Sequence, residues 1–247
     1  MAEMKLTNAV TVYCASSFGH RAEYQDAAVS LGTALAKAGR PLVYGGGRKG
    51  IMGVVSGAVV EAGGQVTGVI PLAMVAAGGE KEQAKGEIQA KIASGVLFDG
   101  KNRKNEDTIV VDSMHERKLE MAKRSCGFIA LPGGYGTFEE LLEVTTWSQL
   151  GIHSKPVIIV NVLGFYDPLR QLIRNGIQEG FIRAENEQLI MFVDGPADHS
   201  LHDDFDWGQA ALDALDRWQL ARDPSLLYDW TKRKAGDAAK GQEIEAA

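Results

Sequence analysis

Phe128-Ile129-Ala130-Leu131-Pro132-Gly133-Gly134-Tyr135-Gly136-Thr137 decides how this chain reads. Four apolar residues without polar alternation predict a strand buried on both faces, the pattern of a parallel sheet covered by helices. Pro132 and the glycines break it, and Thr137 to Leu150 resumes with helical spacing. A strand, a glycine turn and a helix in that order leave the first helical N–H groups without partners and aim the helix dipole at one point. Glycine removes the Cβ atoms that would keep an anion away, and Thr137 adds a hydroxyl donor. The stretch predicts a phosphate cradle that lacks the lysine of a P-loop, since Gly-x4-Gly-Lys-Ser/Thr occurs nowhere in the chain.

The same alternation extends outward. Val10 to Tyr13, Leu42 to Tyr44, Val66 to Ile70, Val157 to Val162 and Gln188 to Val193 read as further strands. Helical spacing marks Glu23 to Lys37, Ile51 to Ala62, Ser113 to Arg124, Asp167 to Glu179 and Trp207 to Trp218, and Ser113 with Glu116 fits a capping box. Strands alternating with helices predict a doubly wound, Rossmann-like α/β domain over residues 1–230, its parallel sheet covered by helices on both faces. Residues 72–107, charged and glycine-containing, read as an excursion with a short amphipathic helix, and Ile109 to Val111 as a short extended piece. Residues 231–247 carry almost no large apolar side chain and are expected to be a disordered tail.

Composition narrows the function. With 247 residues, 45% of them hydrophobic, the chain can bury one sizeable core. Its net charge of −6 argues against nucleic acid as a partner, because neutralising phosphates through the net field needs an excess of Lys and Arg. Two cysteines, Cys14 and Cys126, are no disulfide framework and form no Cys-x-x-Cys pair. No apolar run approaches the length of a membrane span and the N-terminus has no apolar leader core, so a cytoplasmic protein with no membrane partner is expected.

Other motifs have bland readings beside the functional ones. Gly45-x-Gly47-x-x-Gly50 matches the dinucleotide fingerprint after a strand, yet Val66 to Ile70 runs into Pro71 where a ribose-binding carboxylate would stand. A tight strand-to-helix turn explains it equally well. Cys14-Ala15-Ser16-Ser17-Phe18-Gly19 ends the first strand, and Ser17 suits phosphate or base contact better than nucleophilic attack, because Gly-x-Ser-x-Gly is absent. Met114-His115-Glu116-Arg117-Lys118 alone reads as a solvated helix face. His199-x-x-His202 lies in a polar stretch without ligand geometry, so neither a metal nor a cofactor is expected.

Taken together, Cys14 to Gly19, Tyr44 to Gly53, Met114 to Lys118 and Pro132 to Glu140 resemble, in this order, the LONELY GUY family of cytokinin-activating phosphoribohydrolases. The resemblance covers roughly residues 10–161. It implies hydrolysis of a nucleoside 5′-monophosphate to free base and ribose 5-phosphate, the small molecule being the partner. It also implies a homodimer or larger homo-oligomer, with Arg117 and Glu140 as the catalytic pair. Ser17, Gly46, Gly47, Met114, Lys118, Gly133, Gly134, Tyr135, Gly136, Thr137 and Thr146 are the substrate-binding candidates. Between Pro71 and Met114 the chain is longer than compact plant members, and either Glu80 or Glu82 could match the family's substrate-contacting glutamate. A nucleotide-binding module without chemistry and a dinucleotide-dependent oxidoreductase stand as alternatives.

Helix geometry separates the two adjacent glutamates. Glu140 is three residues beyond Thr137 and roughly 60° around the helix from it, whereas Glu139 is about 160° away. Phe138, Leu141, Leu142 and Thr145 are expected on the core-facing flank, with Glu139 and Glu143 a solvated i, i+4 pair.

Overall fold

A computed structural model describes residues 8–76, 105–218, 228 and 230. Its strands are β1 (Val10–Tyr13), β2 (Leu42–Tyr44), β3 (Val66–Pro71), β4 (Glu106–Val111), β5 (Gly127–Ala130), β6 (Val157–Asn161) and β7 (Met191–Asp194). Between them run α1 (Glu23–Lys37), α2 (Gly50–Glu61), α3 (Leu72–Ala76), α4 (Met114–Lys123), α5 (Tyr135–Gln149) and α6 (Asp167–Gln178), with α7 (Trp207–Arg217) after β7. All seven strands pair in parallel in the order β4-β3-β2-β1-β5-β6-β7.

The absence of polar alternation has a direct cause. Val10, Val12 and Cys14 point to one face, with Leu42, Tyr44, Ile129, Leu131, Ile158 and Val160, and meet α1, α2 and α7. Tyr13, Val43, Phe128, Ala130, Val157 and Ile159 point to the other, where Leu119 and Met121 of α4 and Leu141 and Val144 of α5 cover them. Both faces are therefore core. Inside the second layer, the Thr11 hydroxyl donates to the Met121 carbonyl at 3.1 Å and meets the Ser125 hydroxyl, so this polar side chain of β1 is satisfied.

The order of the strands fixes where a ligand approaches. From β1 the chain steps through β2 and β3 to β4, then returns by α4 to β5 on the other side of β1. The carboxyl ends of β1 and β5 thus flank the topological switch point, the usual ligand crevice of open α/β sheets.

Three expectations need correction. The extended piece at Ile109–Val111 is the end of a six-residue strand that starts at Glu106, inside the expected excursion. Polar Glu106, Asp107 and Thr108 disguise it, because an edge strand tolerates them. The last strand begins at Met191, and Ala184–Leu189 forms a 3₁₀ turn before it. Leu142 is exposed and Val144 takes its place in the core, since at 100° per residue Leu142 lies about 160° from Glu140. Of the excursion, α3 and the start of β4 are described; residues 77–104, with Glu80 and Glu82, and the tail at 231–247 lie outside the described residues.

Candidate active site

Two helices start at the carboxyl edge of the sheet beside the switch point, and their N-termini differ. At α2, the Ile51 N–H donates to the Ser17 carbonyl (3.2 Å) and the Met52 N–H to the Ala15 carbonyl (3.1 Å). The loop after β1 therefore fills the position a dinucleotide pyrophosphate would take. Gly50, with φ +60°, is needed for this plug, because a Cβ there would collide with the Ser16–Ser17 backbone.

At α5 the same groups are open. The helix begins after Gly134 with no side-chain cap, and its first internal bond is Phe138 N–H to the Gly134 carbonyl at 3.0 Å. Among the described residues, the N–H groups of Gly134, Tyr135, Gly136 and Thr137 have no protein acceptor. A Cβ on Gly134 or Gly136 would meet nothing within 4 Å, so packing inside the protein does not require glycine at either position. Gly133 differs, because the Thr137 side chain folds back against it. Tyr135 stands 92% exposed at the mouth.

Behind this open N-terminus lies a buried ion pair. Arg117 Nη1 donates to Glu140 Oε1 at 2.7 Å, with the two side chains only 10% and 9% exposed. Arg117 Nε donates to the Val69 carbonyl at 3.1 Å, which ties α4 to β3. The guanidinium also lies against Gly45, where a Cβ would strike Nη2. No donor among the described residues reaches Glu140 Oε2. Burial pushes the Glu140 carboxyl up from its ordinary range, while the Arg117 charge pulls it down. Tyr13, beneath the pair, is pushed well up by burial and then by the charges of Glu140 and Glu143.

The remaining candidates fall into groups. Lys118 pairs with Glu139 and, at 3.0 Å, with Glu143, so these carboxylates are not a simply solvated pair. The two hydrogen bonds raise Lys118 above the ordinary lysine range against the pull of burial. Ser17 and Met114 are exposed at the same carboxyl edge. Gly46 has φ +78° and would strike Ile70 with a Cβ, and Gly47 would strike Met52 at 2.7 Å, so internal packing accounts for both. Thr146 is not brought to the cradle: it is exposed, its hydroxyl donates to the Leu142 carbonyl at 2.8 Å, and it lies about 9 Å further along the helix than Glu140.

His202 is buried, its Nδ1 accepting from the Leu163 N–H at 3.2 Å and its Nε2 bonded to the Pro196 carbonyl at 2.8 Å, a structural role. No group of three or more His, Cys, Asp or Glu side chains among the described residues could hold a metal ion. No helix among them is long and apolar enough to cross a membrane. Sequence reasoning missed Gly45 and the Val69 carbonyl, which cradle Arg117 from positions more than 45 residues away.

Comparison with known proteins places the chain in a family. A family described as possible lysine decarboxylase matches residues 52–200. A protein of Oryza sativa subsp. japonica named probable cytokinin riboside 5′-monophosphate phosphoribohydrolase LOGL1 is 46% identical over 192 residues, 78% of this chain and 76% of its own. Cytokinin riboside 5′-monophosphate phosphoribohydrolase LOG1 of Arabidopsis thaliana is 45% identical over 182 residues, 74% of this chain and 76% of its own. The molybdenum cofactor binding protein of Rippkaea orientalis superposes with a TM-score of 0.50 at 16% identity, over 78% of this chain and 93% of that one, which is a likeness of fold alone.

Proposed function

The chain belongs to the LONELY GUY (LOG) family, and from that premise we propose that it is a nucleoside 5′-monophosphate phosphoribohydrolase. Its substrate is AMP or N6-prenylated AMP, and its products are the free base and ribose 5-phosphate. One observation carries this: a buried, arginine-held carboxylate lies one and a half turns behind a glycine-lined, uncapped helix N-terminus. The N–H groups from Gly134 to Thr137 bind the 5′-phosphate, with Gly133 shaping the turn and Ser17, Met114, Tyr135 and Lys118 around it. Glu140 then faces the ribose.

As the C1′–N9 bond breaks, its electron pair leaves with the base and positive charge develops on the sugar. The Glu140 carboxylate stabilises that charge through the ribose hydroxyls and orients the attacking water. The water's hydroxyl ends on C1′ and its proton on the base. Arg117 keeps Glu140 ionised and fixed, which its second bond to Val69 allows without help from substrate. A module without chemistry is not favoured, because relatives 45–46% identical are named phosphoribohydrolases. An oxidoreductase using the Gly45 loop is disfavoured by the filled N-terminus of α2.

The test is incubation with AMP, GMP, CMP and N6-isopentenyl-AMP, followed by chromatography. Release of adenine or prenyladenine in equal amount with ribose 5-phosphate is expected. Tight binding of AMP without release of base would leave the protein a binding module.

We further propose a cytoplasmic homodimer or larger homo-oligomer. Supporting the assembly is the exposed flank of α5, where Tyr135 and Leu142 stand seven residues apart, with Thr146 one turn on. Supporting the compartment are two free thiols, Cys14 and Cys126. Sedimentation of the parent and of Leu142→Glu tests the assembly; a monomeric parent would overturn it.

A further inference from the structure

Tyr166 ends the turn between β6 and α6 and takes no part in the steps above, yet it grips the glycine turn from both sides. It is buried, and its hydroxyl donates to the Leu131 carbonyl at 2.8 Å, immediately before Pro132. Its ring meets Phe138 edge-on, centroids 6.2 Å apart, in the first turn of α5. The Tyr166 N–H donates to Asn161 Oδ1 at 2.7 Å, and Asn161 Nδ2 donates to Asp167 at 2.8 Å and to Asp194 at 2.7 Å. The turn that carries Tyr166 includes Leu163 in the left-handed region (φ +54°), uncommon for a side chain of that bulk. That turn is held open at one defined shape by the bond from Leu163 N–H to His202.

These contacts matter because the cradle cannot set its own direction. Gly134 and Gly136 have no side chain and would meet no neighbour even with a Cβ. The trajectory of their N–H groups is therefore set by what precedes and follows them. Upstream, the Leu131–Pro132 peptide is clamped by Tyr166 on one carbonyl and by the Ala15 N–H (3.3 Å) on the next. Downstream, Phe138 rests on the same tyrosine ring. We propose that Tyr166 is a positioning residue, braced by Asn161, that fixes the phosphate cradle and thereby sets affinity for the 5′-phosphate rather than the rate of bond breaking. The proposal rests on the cradle being the phosphate site.

Tyr166→Phe removes the hydroxyl and keeps the ring. It raises KM for AMP and Kd for ribose 5-phosphate, measured by calorimetry, about five- to tenfold, the worth of one hydrogen bond. The turnover number stays within about twofold, because a loss of uniform binding leaves kcat unchanged. Asn161→Ala, which frees the Tyr166 backbone, shifts both constants in the same direction and carries the test if Tyr166→Phe does not fold. A folded variant with parental KM and Kd overturns the proposal, as does a fall in kcat at unchanged KM. If the parent binds ribose 5-phosphate but releases no base from AMP, the hydrolase assignment fails, and the Kd comparison still decides the role of Tyr166.

Discussion

Arg117 donates to Glu140 at 2.7 Å inside the protein, while the next residues on the facing helices, Lys118 and Glu139, pair nearer the surface. Consecutive cations on α4 thus meet consecutive carboxylates on α5. One pair is desolvated and faces the crevice. The other shares its lysine with Glu143.

That division predicts opposite outcomes for neighbouring substitutions. Glu140→Gln keeps the volume but removes the charge facing the ribose, and kcat on AMP should fall on the order of 10²–10³-fold. Glu139→Gln should stay within a few-fold of the parent, because Glu143 retains Lys118. A dead Glu139→Gln beside an active Glu140→Gln would reverse the assignment.

If the N–H groups after Gly134 anchor the phosphate, adenosine should be cleaved with a far lower kcat/KM than AMP, since the binding energy of the phosphate is lost. Gly134→Ala should fold normally, as its Cβ meets nothing in the protein, yet bind AMP more weakly. Equal kcat/KM on adenosine and AMP would sink the cradle.

Burial holds the Glu140 carboxyl above its ordinary range, and Arg117 only partly offsets this. The working form is the carboxylate, so kcat should fall as pH drops through that raised value, at higher pH than an exposed glutamate would give. By linkage, the folded protein binds this proton more tightly than the unfolded chain, so this group favours the fold more at acid pH and less as pH rises through the raised pKa. A pH–rate profile without an acid limb above the ordinary glutamate range would contradict the assignment.

Gly45→Ala should lower kcat about 10- to 100-fold and lower Tm as well, because the new methyl pushes the buried Arg117 guanidinium off Glu140. Gly50→Ala should lower Tm while kcat of the folded enzyme falls much less, since its φ of +60° and the Ser16 backbone leave nothing to yield and it does not touch the Arg117–Glu140 pair. Kinetics and melting curves of the two variants separate these effects.

Turnover should survive EDTA, as no ligand set of three or more side chains occurs among the described residues. Loss of activity on chelation, restored by a divalent ion, would contradict this.

The sheet was legible because Phe128 to Leu131 and Val157 to Val160 are apolar on both faces, a pattern only a doubly covered strand requires. Glu106 to Thr108 concealed β4 because an edge strand carries polar residues as readily as a loop does. At the site, the glycine turn and the facing of Glu140 relative to Glu139 followed from local spacing. The role of Arg117 did not. Its sequence neighbourhood is that of a solvated helix, and its burial comes from Gly45, Val69 and Glu140, three positions distant in sequence. Tyr166 was silent for the same reason, its hydroxyl acting across 35 residues on Leu131.

The carbonyls of Ala15 and Ser17 that fill the start of α2 make two possible uses of this scaffold mutually exclusive. To admit a pyrophosphate at Gly45–Gly50, the segment after β1 would have to retract, and Ser17 and the Ala15 N–H that steadies Pro132 would leave with it. Gaining a dinucleotide there would thus remove a support of the proposed monophosphate cradle in the same step.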